Sequence, residues 1–455
     1  MAPARIPAWG FALGCALAVS ACAVSPDAPS SASSSSASSS PAPSVAASVA
    51  APAVDAAKTA DATGDAGAAS VVAAESAAPD VTASARSDLE SDLGPDPGPD
   101  LTLAGYLKGL REASCPLGVS MSEPETIDLQ AKPVSLSRIG ARKSIGKLTY
   151  LGGFQLTSSD PRFGGLSGLD VLETGDLLAV SDTGALVWID LADDGLTPLA
   201  ARMAPLNGAD GRPLDGKLEA DAEGLAYQDG LALVSFERDH RVLAYDIGGC
   251  GAAARGAPIV VQGSGRSLPD AFAKAGLSVG ANSGPEPLAV TPDWNLFVGL
   301  ETRVGGKGPL SARALEGAPS FDLALGEGAP DFVGLDLAPA PDDEGDVVAY
   351  SLHRGFDNVL GNAIMIERTV FRRDLDQSNL PARIVNELNE RSHVRFRGGE
   401  SEVLASMGAL AINVDNFEGI AATPEPGGGT RLYIISDNNF SGRQRTLLMA
   451  FEVAG

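Results

Sequence analysis

From Ile145 onward, apolar runs of about four to seven residues alternate with clusters of Gly, Asp, Asn and Pro. Leu177–Ser181, Leu231–Phe236, Arg241–Ile247, Leu296–Leu300, Val347–Leu352 and Leu432–Ser436 read as strands, each bounded by turn residues. Ahead of them, Leu101 to Cys115 places Leu103, Leu107 and Leu110 near one face, which predicts a short helix. From Ala23 to Asp100 there is no period at all. Ala, Ser, Pro and Asp fill this stretch, and it holds too little apolar surface to offset chain entropy. It reads as a disordered tether, with a reach on the order of 50 Å.

The strand pairs repeat. Gly164-Gly165-Leu166-Ser167-Gly168-Leu169 leads to a strand ending in Asp182, and Asp221-Ala222-Glu223-Gly224-Leu225-Ala226 to one ending in Glu237. Asn282 to Ala289, with Glu286-Pro287, leads to Glu301, and Asp415-Asn416-Phe417-Glu418-Gly419-Ile420 leads to Asp437-Asn438-Asn439. A fainter copy, Phe332 to Asp336, leads to His353, with Asp336 standing where Glu-Gly is expected. Starts recur at roughly 50 to 85 residues, the size of a propeller blade. The fold class is therefore all-β: a propeller of five or six four-stranded blades, preceded by the disordered N-terminal segment. Its last strand, Thr446–Val453, is expected to pair with Leu148–Leu156 and close the ring.

Composition supports strands and turns, with 53 Gly, 31 Pro and only 5% aromatic residues. A formal net charge of −25 repels phosphate backbones, so nucleic acid is excluded as a partner. Met1–Arg5 is short and basic, Ile6–Ala18 is apolar, and Val19-Ser20-Ala21-Cys22 resembles a lipobox. The expected organisation is a lipoprotein-type signal over 1–22, the tether over 23–100, a helix and lead-in over 101–140 and the propeller over 141–455. Lipidation of Cys22 would make a lipid membrane a partner. By resemblance to Gram-negative lipoproteins, Ala23 after the Cys implies the outer membrane, facing the periplasm. Export also permits a disulfide between Cys115 and Cys250.

In a propeller, equivalent positions converge on the axis. Glu223, Glu286 and Glu418 form one set, and Asp182, Glu237, Glu301 and Asp437 another. Carboxylates brought together repel one another and need protons, basic side chains or a hard cation. Ca²⁺ suits them best, with Mg²⁺ and Mn²⁺ as alternatives, and Asn282, Asn416 and Asn438 are further oxygen ligands beside Asp182, Glu237 and Glu301. Glu223, Glu286, Glu418 and Asp437 are the catalytic candidates. Arg238, Arg303, Arg443 and Arg445 are the candidates for holding substrate oxygens, although Arg beside carboxylates also serves as a structural ion pair. There is no G-x-S-x-G elbow, zinc spacing or P-loop.

These motifs, G-G-L-S-G-L…S-D-T-G, E-G-L-A…S-F-E-R, E-P-L-A…G-L-E and D-N-F-E-G-I-A…I-I-S-D-N-N-F-S-G-R-Q-R-T-L-L, resemble the bacterial phytase-like domain family, over about Leu148 to Val453. The resemblance implies an exported propeller whose acids serve phosphoric-ester hydrolysis on a small phosphorylated or ester substrate. Two other functions fit the same residues. One is a non-catalytic propeller binding a ligand or an envelope protein; the other is a Ca²⁺-centred lactonase or esterase.

Overall fold

The computed structural model describes residues 103–259, 279–280, 284–292, 294–301, 310–313, 330–340, 346–374 and 395–453. The signal segment and tether read from 1–22 and 23–100 lie outside them. Among the described residues, no helix is long and apolar enough to cross a membrane.

The chain opens with α1 (Leu103–Ser114), β1 (Glu125–Ile127), β2 (Gln130–Pro133), β3 (Ser144–Ile145) and β4 (Leu148–Thr157). Five antiparallel sheets follow among the described residues. The first runs outward through β5 (Leu166–Val171), β6 (Leu177–Ser181), β7 (Ala185–Leu191) and β8 (Pro198–Pro205) to β1. After α2 (Gly216–Ala220), the second holds β9 (Ala222–Gln228), β10 (Leu231–Phe236), β11 (Arg241–Asp246) and, beyond α3 (Ile247–Cys250), β12 (Ala257–Pro258). The third holds β13 (Leu288–Val290), β14 (Asn295–Val298) and β15 (Leu310–Arg313). The fourth holds β16 (Asp331–Pro339), β17 (Val347–Asp357), β18 (Gly361–Asp374) and β19 (Arg395–Gly408). The fifth combines β20 (Asn416–Pro424), β21 (Thr430–Asp437) and β22 (Thr446–Val453) with β4 and β2 from the start of the domain.

The first strands of the sheets, β5, β9, β13, β16 and β20, border one another in sequence, and β20 borders β5. Among the described residues this is a closed propeller-like ring of five sheets, four of them with four or more strands. β22 pairs with β4 from Thr446↔Leu156 to Val453↔Leu148, as the sequence predicts, so the last blade is sewn from both ends of the domain. The lead-in contributes more than a helix, because β1 extends the first blade and β2 the fifth.

Each blade is covered on both faces by its neighbours, so its middle strands read as unbroken apolar runs rather than alternating ones. In β6, Leu177 and Ala179 pack toward the fifth blade, while Leu178 and Val180 pack toward the second. A separate hydrophobic core fills each of the five blade interfaces. The helix α1 lies on the second blade, with Leu110 buried and Tyr106 and Leu107 beside it. A Cys115–Cys250 disulfide and the Arg111–Asp246 ion pair hold it there.

Candidate active site on the propeller axis

In four blades the register slips once between the first two strands. The slip falls at Leu166/Gly168, Ala222/Leu225, Phe332/Gly334 and Phe417/Gly419. Such a bulge re-aims one side chain. The positions so placed are Ser167, Glu223, Val333 and Glu418, with Glu286 at the matching place in the third blade. Val333, not Asp336, therefore stands at the glutamate position of the fourth blade. Asp336 lies deeper along β16 and accepts from the Ala422 backbone N–H at 2.6 Å.

The glycine after four of these positions, with Pro287 in its place after Glu286, makes the convergence possible. A Cβ on Gly224 would lie 2.0 Å from the Glu286 carbonyl, and one on Gly334 would lie 2.5 Å from the Glu418 carbonyl. The inner strands approach too closely there for any side chain.

A second ring comes from the ends of the next strands. The backbone N–H groups of Asp182 and Glu237 donate to the carbonyls of Gly165 and Asp221 at 2.8 and 2.9 Å, and that of Glu301 donates to Gly284. Asp437 pairs with Asn416, and Arg354 with Asp331. The fourth blade thus offers a cation, Arg354, where the others offer acids. His353, which the sequence aligns with those acids, turns the other way, fully buried and stacked on Phe332 at 5.2 Å.

Glu223, Glu286, Glu418, Asp182, Glu237, Glu301 and Asp437 all line one cavity of about 850 Å³, with Arg238 and Arg443. Three acids given no role from the sequence, Asp221, Asp331 and Asp415, join them, as do Arg138, Lys217 and Arg354. Asp221 was legible as the partner of Asn416, each two residues ahead of a ring glutamate. Ten carboxyl groups face five basic side chains.

Arg354 sits among them. It donates through Nη1 to Glu418 and, at 3.0 Å, to Asn416, and through Nη2 to Glu301 at 3.1 Å. Lys217 bridges Asp182 and Asp221 at 2.7 Å each, and Arg238 pairs with Asp221.

Other expected roles are revised. Arg445 does not line the cavity; it holds Asp415 at 3.0 Å. Asn438 is a clip, its Oδ1 accepting from the backbone N–H groups of Gly165 and Phe440. Asn416 has both ends of its amide engaged, by Arg354 and Glu418. Arg303 and Asn282 lie outside the described residues.

Burial dominates the electrostatics. It pushes Glu223 and Glu286 well above the usual carboxylate range, and neighbouring acids push them further. Burial raises Glu418 to about 8 against the pull of Arg354, and Asp437 to about 6. Glu237 and Glu301 are raised for the same first reason.

Asp221, Glu223 and Glu237 bring carboxylate oxygens within 4.8 Å of one another, and so do Glu237, Glu286 and Glu301. Glu237 belongs to both groups. An all-oxygen, net-negative donor set of this kind fits a hard divalent cation. The wall beside these acids is held in an uncommon conformation, with Asn439 and Phe440 at φ of 48° and 47°. Two consecutive left-handed residues without glycine cost on the order of 1–3 kcal/mol each. The Asn438 clip offsets part of this.

A family model described as phytase-like, esterase-like activity of phytase, matches residues 161–440. No curated protein matches the chain in sequence. Among solved structures, the PQQ-bound aldose sugar dehydrogenase of Streptomyces coelicolor is 14% identical, covering 73% of this chain and 100% of that one at a TM-score of 0.33. The Cps50 (Swd1) β-propeller domain of Myceliophteria thermophila is 11% identical, covering 72% and 100% at a TM-score of 0.28.

Proposed function

Because the chain belongs to the phytase-like family, we propose that the axial cavity hydrolyses a phosphoric ester with the help of a divalent cation, Ca²⁺ first among the candidates. The observation that carries this reading is the pair of carboxylate groups joined at Glu237. Asp221, Glu223, Glu237, Glu286 and Glu301 would hold the cation. When bound, it supplies positive charge to a phosphoryl oxygen and to the attacking water.

The chain's own residues divide the remaining work. Arg354 and Arg443 face the cavity and would hold phosphoryl oxygens. Water attacks phosphorus, and the bond from phosphorus to the alcohol oxygen breaks. Asp437, ionised at neutral pH, takes a proton from the water, and Glu418, still protonated there, gives one to the departing alcohol oxygen. Lipidation at Cys22 would place this reaction on the bacterial envelope; a lipid mass shift lost in Cys22→Ala tests that part.

The decisive experiment assays purified protein on a phosphomonoester, a phosphodiester and a lactone, with Ca²⁺ and with chelator. Phosphoric-ester turnover that chelation abolishes is expected. Glu418→Gln should slow it by about a hundredfold, the scale of one general acid. Glu237→Gln should weaken Ca²⁺ binding by at least about tenfold in calorimetry. Absence of turnover on all three substrates would sink the reading, and turnover of the lactone alone would replace it with the lactonase.

A further inference from the structure

A second cavity, about 460 Å³, opens on the same end of the propeller, over the first blade. Phe440, Met203, Leu214, Pro161, Pro205 and Ala185 line it, so its wall is largely apolar. It abuts the acidic cavity. Asp182 belongs to one and Thr183 to the other; Asn439 and Ser441 line the first and Phe440 the second.

The two meet over Gly165. A Cβ at that position would lie 2.0 Å from Asp182 Oδ1 and 2.8 Å from the Phe440 ring, so acid and aromatic edge lie side by side. Asp182 Oδ2 accepts from Lys217 at 2.7 Å, whereas Oδ1 is buried without a hydrogen-bond partner among the described residues. The left-handed turn at Asn439 and Phe440, pinned by Asn438, keeps the ring at this junction.

We propose that the substrate is a two-part ester, with its phosphoryl group in the acidic cavity and an aryl or alkyl group in the apolar cavity beside Phe440. This rests on the phosphoric-ester reading and narrows its substrate class. The charge balance points the same way. A cavity with twice as many acids as bases disfavours a molecule carrying phosphates all round and suits one with a single anionic head. An apolar group that leaves water for a hydrophobic wall supplies binding that the charged head does not.

The test uses phenylphosphonate and methylphosphonate, which carry the same head and cannot be hydrolysed at a P–O ester bond. Calorimetry is run on the purified protein with saturating Ca²⁺. Phenylphosphonate is expected to bind on the order of 10- to 100-fold more tightly, the range for an apolar group entering a hydrophobic pocket. Phe440→Ala, which removes the wall, and Ala185→Phe, which fills the cavity, should each bring that ratio toward one. Equal affinity of the two phosphonates in the wild type, binding of neither, or a preference kept by both variants overturns the proposal. A preference without turnover of phenyl phosphate keeps the apolar subsite and removes the hydrolase. Turnover of phenyl and methyl phosphate with equal kcat/KM keeps the hydrolase and removes the subsite.

Discussion

At the scale of single residues, the site depends as much on what is absent as on what is charged. Gly224 has the Glu286 carbonyl where its Cβ would be, at 2.0 Å. Gly224→Ala should therefore push the third blade's inner strand away from the second. A loss of about 1–3 kcal/mol, the range for forced overpacking, is expected in urea unfolding. Ca²⁺ affinity should fall with it, because Glu223 and Glu286 flank that contact. Unchanged stability together with unchanged affinity would show that the inner strands can yield. The sequence made this position legible, since Glu-Gly recurs in register. Arg354 was harder to place. The sequence sets His353 opposite the acids, but Phe332↔His353 matches Phe417↔Ser436, so the next residue, Arg354, stands at the place of Asp437. With no acid at that place in the fourth repeat, nothing pins its alignment, and a one-residue offset stays invisible until strands are paired.

At the scale of elements, strands were easier to read than the way they are fastened. Runs such as Leu177–Ser181 and Leu432–Ser436 appear at their expected places because both faces are buried and the apolar signal is unbroken. The short edge strands β1 and β2 escaped notice, with mostly exposed residues and little apolar content. The helix α1 was expected and a Cys115–Cys250 disulfide was allowed for; that the second blade is its seat was not legible. The Cys115–Cys250 bond spans 135 residues and fixes α1 to the second blade. Closing so long a loop restricts the unfolded chain strongly, so Cys115→Ala with Cys250→Ala should lower unfolding free energy by about 2–5 kcal/mol. Equal melting temperatures for the oxidised protein and the double variant would show that packing of Leu110 and the Arg111–Asp246 pair suffices.

At the scale of the whole molecule, the acids set how stability depends on pH. Burial raises Asp170 to about 7, and it raises Asp336, Glu223 and Glu286 well above the ordinary range. A carboxyl group whose folded value exceeds its unfolded one binds more protons in the folded state. Its stabilisation is present in full below the unfolded value near 4 and is lost as pH rises through the folded value. The cation-free protein should therefore melt at a higher temperature at pH 5 than at pH 8. Saturating Ca²⁺ should recover much of the difference at pH 8, because it binds the ionised carboxylates of the folded state. A cation-free melting temperature that rises from pH 5 to pH 8 would contradict the ring of raised carboxyl groups.

The pairing of β22 with β4 also bears on when the molecule can exist at all. The earlier blades can form during synthesis, but the fifth cannot be completed before β22, Thr446–Val453, arrives. Until Thr446–Val453 is delivered, the fifth blade lacks the strand that joins β21 to β4. Ending the chain at Arg445 should leave a product that protease digests rapidly under conditions where the full chain persists.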